Sequence, residues 1–356
     1  MHPTKLFIPG PTEVRPEVLQ QLSRPMIGHR SAEFGQLFQR LQPRLRRLFQ
    51  TQNRVYISTS SGTGLWEAAV RNCVRMRCLN LVNGAFSQRW RRVTLANGKE
   101  SVAVEADWGQ AIRPEQVEEA LERERVDAVT LVHSETSTGV LNPLGEIAEV
   151  VRQFPDVLLL VDAVSSLGGV DIPVDELGID VCLTSSQKAL ALPPGLALAS
   201  VSDRALARAQ EVQNRGYYFD FLVFEEYLAR NQTPTTPPIS LLYGLDYQLD
   251  RILAEGLELR FRRHRAMAQM VWKWAEERGF ELFAEEGYRS PTVTVVRNTL
   301  EVDVPALQSH LRERGMTIAD GYGPLRGKTF RIAHMGDLTP AEVEEVLAGV
   351  DEFLRR

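Results

Sequence analysis

Short runs of strand-forming apolar residues alternate with segments of helical periodicity along most of this chain. That alternation restricts the fold more than any other feature. Val157-Leu158-Leu159-Leu160-Val161 is the clearest run. It is apolar at every position, so both faces of the strand must be covered. Val55-Tyr56-Ile57, Leu79-Asn80-Leu81-Val82, Val102-Ala103-Val104, Val129-Thr130-Leu131-Val132, Val181-Cys182-Leu183-Thr184 and Leu196-Ala197-Leu198-Ala199-Ser200-Val201 read as further strands. Helices fit the gaps near 64–76, 114–124, 144–153 and 203–212. The pattern predicts an α/β fold: a largely parallel sheet covered by helices on both sides.

At 356 residues the chain exceeds the usual size of a single core, which predicts two domains. The pattern changes after about residue 250. An amphipathic helical stretch covers about 245–279, followed by two or three short strands and helices near 304–314 and 339–354. The expectation is a large domain over 16–250. A smaller α+β domain would combine 1–15 with 251–356. Thr233-Pro234-Thr235-Thr236-Pro237-Pro238 must be a non-helical link, and Pro9-Gly10-Pro11-Thr12 an extended or turn segment.

The composition, 44% apolar and 24% charged, is that of a globular protein. A net charge of −5 gives no nucleic-acid footprint. Arginines interleaved with acids, as in Leu257-Glu258-Leu259-Arg260-Phe261-Arg262-Arg263, read as a solvated helix face. Cys73, Cys78 and Cys182 lie in apolar surroundings at spacings that fit neither zinc nor a disulfide framework, so buried free thiols and no metal are expected. No run is long enough to cross a membrane, and the first residues lack the apolar core of a signal peptide. These features predict a cytoplasmic location.

Of the 41 Lys and Arg residues only five are Lys, and one of them, Lys188, lies in the apolar, hydroxyl-flanked segment Thr184-Ser185-Ser186-Gln187-Lys188-Ala189-Leu190. Imine formation with a carbonyl, as in a pyridoxal phosphate Schiff base, needs an amine and cannot use a guanidinium. A loop lysine facing water fits this segment equally well. The neighbours of such an imine would have to hold a ring nitrogen, a ring face, a phosphate and a substrate carboxylate. Asp162 ends the clearest apolar run, where α/β proteins place functional groups; a carboxylate there would keep a pyridine nitrogen protonated, or would cap the turn that follows. Ser60-Ser61-Gly62-Thr63-Gly64-Leu65 is a small-residue turn from strand to helix, suited to an anion. Thr136 follows another strand end and could bond a ring hydroxyl. Phe86 could stack on a ring or belong to a core. Arg331, in an apolar strand, needs an anion: a substrate carboxylate or a nearby Glu. His29 and Arg30 precede Ser31, a candidate N-cap.

Taken in order, these motifs resemble the class V, fold-type I pyridoxal phosphate-dependent aminotransferases, in the alanine–glyoxylate, serine–glyoxylate and serine–pyruvate group. The resemblance runs from Pro9-Gly10-Pro11-Thr12 and Gly28-His29-Arg30-Ser31 through Ser61-Gly62-Thr63-Gly64, Glu135-Thr136-Ser137-Thr138-Gly139 and Val161-Asp162-Ala163-Val164. It continues to Ser186-Gln187-Lys188-Ala189, Thr235-Thr236-Pro237-Pro238 and Arg331. It implies a seven-stranded, mostly parallel sheet and a homodimer with shared active sites. Lys188 would be the Schiff-base lysine and proton shuttle. Asp162 would hold the pyridinium nitrogen, with Phe86 on one ring face and Val164 on the other. Thr136 and Gln187 would contact the ring oxygen or phosphate. Thr63, Gly64 and Leu65 would cradle the phosphate, and Thr235 would reach the phosphate of the partner's cofactor. Arg331 would clamp the substrate carboxylate, with Gly10, His29 and Arg30 also on the substrate side. Leu65, Phe86 and Gln232 depart from the His, Trp and Tyr of some members. The implied activity is ping-pong transfer of an amino group between serine or alanine and glyoxylate or pyruvate. Phosphoserine transamination and a non-catalytic subunit of the same fold are the alternatives.

Overall fold

The computed structural model describes residues 4–355. Seven strands form the main sheet, in the spatial order Arg54–Ser58, Ala197–Val201, Val181–Ser185, Leu158–Asp162, Ala128–Val132, Arg77–Val82, Glu100–Glu105. Ala197–Val201 runs antiparallel to both neighbours, and the remaining pairs are parallel. The apolar run at 157–161 does what its composition demands. Leu159 and Val161 pack into a core shared with Phe34, Leu37 and Leu41 of the helix Ala32–Phe49. Leu158 and Leu160 face the other way, into a core with Trp66 of the helix Gly62–Cys73. Each fully buried leucine contributes about 1.5–3 kcal/mol. A one-residue slip would exchange the two faces. Cys73, Cys78 and Cys182 are free and buried, as their surroundings predicted.

A second sheet has the order Lys5–Phe7, Met316–Asp320, Thr329–Ala333, Val293–Arg297, Glu281–Leu282. Only its first pair is parallel. The helices Leu257–Glu277, Val304–Glu313 and Pro340–Leu354 share a core with it.

Two readings need correction. The single helix expected over 245–279 is two, Ile239–Glu255 and Leu257–Glu277. They are divided at Gly256, whose φ of 85° lies in the left-handed region that other residues rarely adopt. The stretch 257–263 is also not uniformly solvated. Arg262 is exposed, but Arg260 is only 1% exposed. Arg260 donates to the carbonyls of Gly168 (2.9 Å) and Ala189 (2.8 Å) and pairs with Glu255 (2.7 Å) and Asp337 (3.1 Å). Gly168 follows the strand ending at Asp162, and Ala189 follows Lys188. One buried guanidinium therefore ties the second helix to both loops.

Candidate active site

The parallel strands end on one edge of the main sheet, and their loops enclose a cavity of about 420 Å3. Lys188, Asp162, Val164, Gln187, Thr136, Phe86, Thr63 and Gly10 all line it.

Asp162 ends its strand with its carboxylate buried. Oδ1 accepts the Val164 amide (2.6 Å), the turn-capping bond; Oδ2 accepts the Trp66 indole N–H (2.8 Å). Burial pushes the carboxyl up to about 7, against both donors, which favour the ionised form. Trp66 is itself stacked on Trp90, with ring centroids 5.7 Å apart. Lys188 follows the strand Val181–Ser185 and donates from Nζ to the Pro9 carbonyl. Burial first, then the charge of Arg331, lowers its amine to about 8, with Asp162 opposing. The segment 9–12 is strapped across this loop. Thr12 bonds the Gln187 carbonyl through its amide (3.0 Å) and the Lys188 carbonyl through its hydroxyl (3.0 Å). A Cβ on Gly10, whose φ is +114°, would lie 2.7 Å from the Lys188 side chain, so only glycine lets the strap lie this close.

Ser61 occupies the N-cap of the helix Gly62–Cys73 and makes no side-chain cap bond, leaving the Gly62 and Thr63 amides to an outside acceptor. Gly62 abuts Val164; a Cβ there would come within 2.7 Å of it. Thr136 Oγ1 is 2.6 Å from Ser165 Oγ. Ser185 Oγ and Gln187 Oε1 are buried with no hydrogen-bond partner among the described residues. Phe86 lies in the first turn of the helix Ala85–Ala96. The buried Glu135 carboxylate holds that start by accepting the amides of Phe86 (3.3 Å) and Ser87 (2.9 Å). Favourable interaction of a carboxylate with helix-start amides supplies the physical reason.

The other sequence candidates lie outside the lining. Leu65 is a core residue. Gly64 donates its amide to the Ser61 carbonyl (2.9 Å). Arg30 donates to Gln232 Oε1 (3.1 Å) and to the carbonyls of Thr233 (2.7 Å) and Pro234 (3.1 Å), which places it against the loop that carries Thr235. His29 stands beside it, and Ser31 caps the next helix. Arg331 donates Nε to the Asp320 carbonyl (2.9 Å) and has no ion pair among the described residues. Its guanidinium carbon is 5.5 Å from the Tyr322 ring, and Tyr322 lines the cavity. Burial lowers Arg331 to about 10.

Sequence reasoning missed Trp66, Ser165, Ser185, Glu135, Arg89 and Tyr322. Trp66 had a visible signal, being a large aromatic with a polar N–H in the first turn after a small-residue loop. The others carry no signal that local pattern could report.

The family model of class-V aminotransferases matches residues 6–324. An L-aspartate–glyoxylate aminotransferase of Paracoccus denitrificans is 35% identical over 94% of this chain and 87% of its own length. A serine–glyoxylate aminotransferase of Methylorubrum extorquens is 32% identical over 98% and 90%. The crystal structure of an alanine–glyoxylate aminotransferase from Nostoc sp. superposes with a TM-score of 0.94 at 32% identity, covering 99% of this chain and 96% of that one. The chain belongs to the class-V aminotransferases and is a transaminase of the fold-type I architecture.

Proposed function

We propose that this transaminase uses pyridoxal 5′-phosphate to move an amino group between serine or alanine and glyoxylate or pyruvate, in a ping-pong exchange. The observation that carries the reading is the convergence of a lysine, a buried carboxylate and unpartnered polar atoms on one cavity. The donor set suits the cofactor. Ser185 Oγ and Gln187 Oε1 lack partners, and the helix-start amides at Gly62 and Thr63 favour a phosphate. Gly62 and Gly10 keep the cavity open where a side chain would fill it.

Bound there, pyridoxal phosphate would supply an aldehyde and a protonated ring that withdraws electrons from the substrate Cα. Lys188 would hold the aldehyde carbon and then carry a proton away from Cα; an amine lowered to about 8 is suited to taking that proton near neutral pH. Asp162, fixed by Val164 and Trp66, would hold the ring nitrogen in its protonated form. Phe86 and Val164 would cover the two ring faces. Thr136, Gln187 and Ser185 would bond the ring oxygen or phosphate. Thr63 and the backbone of Gly64 and Leu65 would complete the phosphate cradle. Arg331 would bind the substrate carboxylate, with Gly10 beside it.

Thr235, His29 and Arg30 lie outside the lining of their own chain's cavity. We place them at the cavity of a second subunit in a homodimer, with a large domain over 16–250 and a small one formed by 1–15 and 251–356. Within one chain Arg30 already spends donors on Gln232, Thr233 and Pro234, which does not favour reading it as a phosphoserine receptor. The test is to incubate the cofactor-loaded protein with serine or alanine and glyoxylate and to quantify glycine. Glycine is expected in step with the 2-oxo acid of the donor. Cofactor binding without glycine from either donor would reject the reading.

A further inference from the structure

We propose that Arg260 is a positioning residue for the reaction: its buried guanidinium fixes Lys188 relative to Asp162 and Arg331. The inference rests on the roles given to those three residues above. It adds a residue that lies outside the cavity lining and touches none of the reacting groups.

Arg260 grips two loops at once. Its Nε donates to the carbonyl of Gly168 and its Nη2 to that of Ala189, in the segments that follow Asp162 and Lys188. The strands that lead into those segments, Leu158–Asp162 and Val181–Ser185, are parallel neighbours in the sheet. A guanidinium is planar, so the two donors hold the two carbonyls at a set separation; a lysine ammonium has no such fork. The fork is itself held. Its Nη1 faces Glu255, which also pairs with Arg263 at 2.7 Å, and Asp337 pairs with Arg251 at 2.6 Å as well as with Nη2. His264, one turn on, braces the same place. Its Nε2 accepts the Gly336 amide at 3.1 Å, which leaves Nδ1 to donate to the Arg260 carbonyl at 2.8 Å. A Cβ on Gly169 would lie 3.1 Å from the His264 ring, and one on Gly336 would lie 3.5 Å from the Lys188 carbonyl.

The other end of the linkage is the substrate clamp. The helix Leu257–Glu277 shares a core with Phe330 and Ile332, the residues on either side of Arg331. Arg331 is thus carried by the same packed unit as that helix, and Arg260 fixes the unit against the Lys188 loop. Fold stability alone does not call for an arginine here. The desolvation of a buried ion pair offsets most of its attraction, and an apolar side chain of similar size would pack the helix as well. An apolar side chain cannot bond two carbonyls from separate loops. Proton transfer at a substrate Cα needs that alignment, because a displacement of about 1 Å can slow a reaction about 100-fold.

The test uses wild type, Arg260→Lys, Glu255→Gln and the double variant Arg260→Met with Glu255→Gln. The cofactor-loaded proteins are given glyoxylate and the better of serine and alanine as donor. Arg260→Lys should lower kcat by about 10- to 100-fold while KM changes by less than about 3-fold, because Arg331 itself is intact. Glu255→Gln breaks ion pairs of Arg260 and Arg263 but leaves both carbonyl bonds; it should lower Tm yet keep kcat within about 2-fold. A second readout needs no turnover. Capture of pyridoxal phosphate by the cofactor-free protein should have its pH midpoint at about 8 in wild type, set by the buried Lys188 amine. A loosened loop admits water to that amine, so Arg260→Lys should raise the midpoint by about one unit, and Glu255→Gln should not. If Arg260→Lys does not fold, the double variant takes its place with the same expected values, since it keeps the charge balanced and leaves Asp337 paired with Arg251. Unchanged kcat, an unmoved midpoint, or an equal fall in kcat in Glu255→Gln would overturn the proposal. If wild type turns over neither donor, the function proposed above has failed, and the capture midpoint alone then decides whether Arg260 places Lys188.

Discussion

Replacing Asp162 with Asn tests the electrostatics of the site without any substrate. Burial raises this carboxyl from an ordinary 3.8 to about 7. The folded protein therefore holds the proton more tightly than the unfolded chain. The sign follows from linkage: below pH 3.8 the group costs nothing. Folding stability then falls with rising pH, until the full penalty is reached above 7. Between pH 5 and pH 8 the penalty grows by about 2–3 kcal/mol, at 1.36 kcal/mol per unit. Asn has no such titration. It has one oxygen for two donors, the Val164 amide and the Trp66 indole, which bond different carboxylate oxygens. One donor must then face the Asn NH2 group, at a cost of about 1–3 kcal/mol that does not vary with pH. The assay is urea unfolding of cofactor-free wild type and Asp162→Asn at pH 5 and pH 8. Titrating groups that do not interact with Asp162 cancel in the difference between the two proteins, and Lys188, whose amine Asp162 raises, enters only as a smaller contribution than burial of Asp162 itself. Asp162→Asn should gain about 2–3 kcal/mol relative to wild type on going from pH 5 to pH 8. A difference that is the same at both pH values would refute the reasoning. Cofactor added at pH 8 should also raise the wild-type midpoint more than that of the variant, because only the carboxylate gains a cationic partner.

Four further outcomes are expected. The Lys188 amine, lowered to about 8, is free in larger proportion as pH rises through that value, so capture of pyridoxal phosphate by the cofactor-free protein should quicken up to about pH 8.5 and then level; a rate still climbing at pH 10 would contradict the lowered value. Lys188→Ala should stay folded while losing the visible absorbance of the bound cofactor and nearly all turnover, and normal turnover would refute the assigned role. Trp66→Phe keeps a ring for Trp90 but removes the N–H bonded to Asp162; equilibrium dialysis should show cofactor affinity about 10-fold weaker, and unchanged affinity would exclude the positioning role. Glu135→Gln replaces an acceptor of helix-start amides with a group that has one acceptor oxygen and no charge, and should lower stability by about 1–2 kcal/mol, read as a fall in Tm.

The fold was legible because its strongest signal is a direct consequence of burial. A strand covered on both faces must be apolar at every position, and Val157–Val161 is. Lys188 and Asp162 were legible for a related reason: each breaks such a pattern at a strand end, where a charged group is costly unless it has a partner. The helix break at Gly256 had a local sign, a glycine inside an amphipathic stretch, but period counting reads through it, and only the left-handed φ turns a tolerated glycine into a boundary. Arg260 was misread because periodicity treats every charge as solvated, whereas its donors are met by carbonyls some 70 and 90 residues away in the chain. The same limit applies to the Tyr322 wall of the cavity. Arg331 was recognisable as a cation in need of an anion. What stands between it and the cavity is Tyr322, and what holds Tyr322 is Arg89, 233 positions earlier. Each of the three is unremarkable in its own segment. Their joint meaning arises only where the helix Ala85–Ala96 meets the turn that follows Met316–Asp320. An arrangement built in this way depends on the approach of two distant segments, and so leaves no spacing for a single sequence to display.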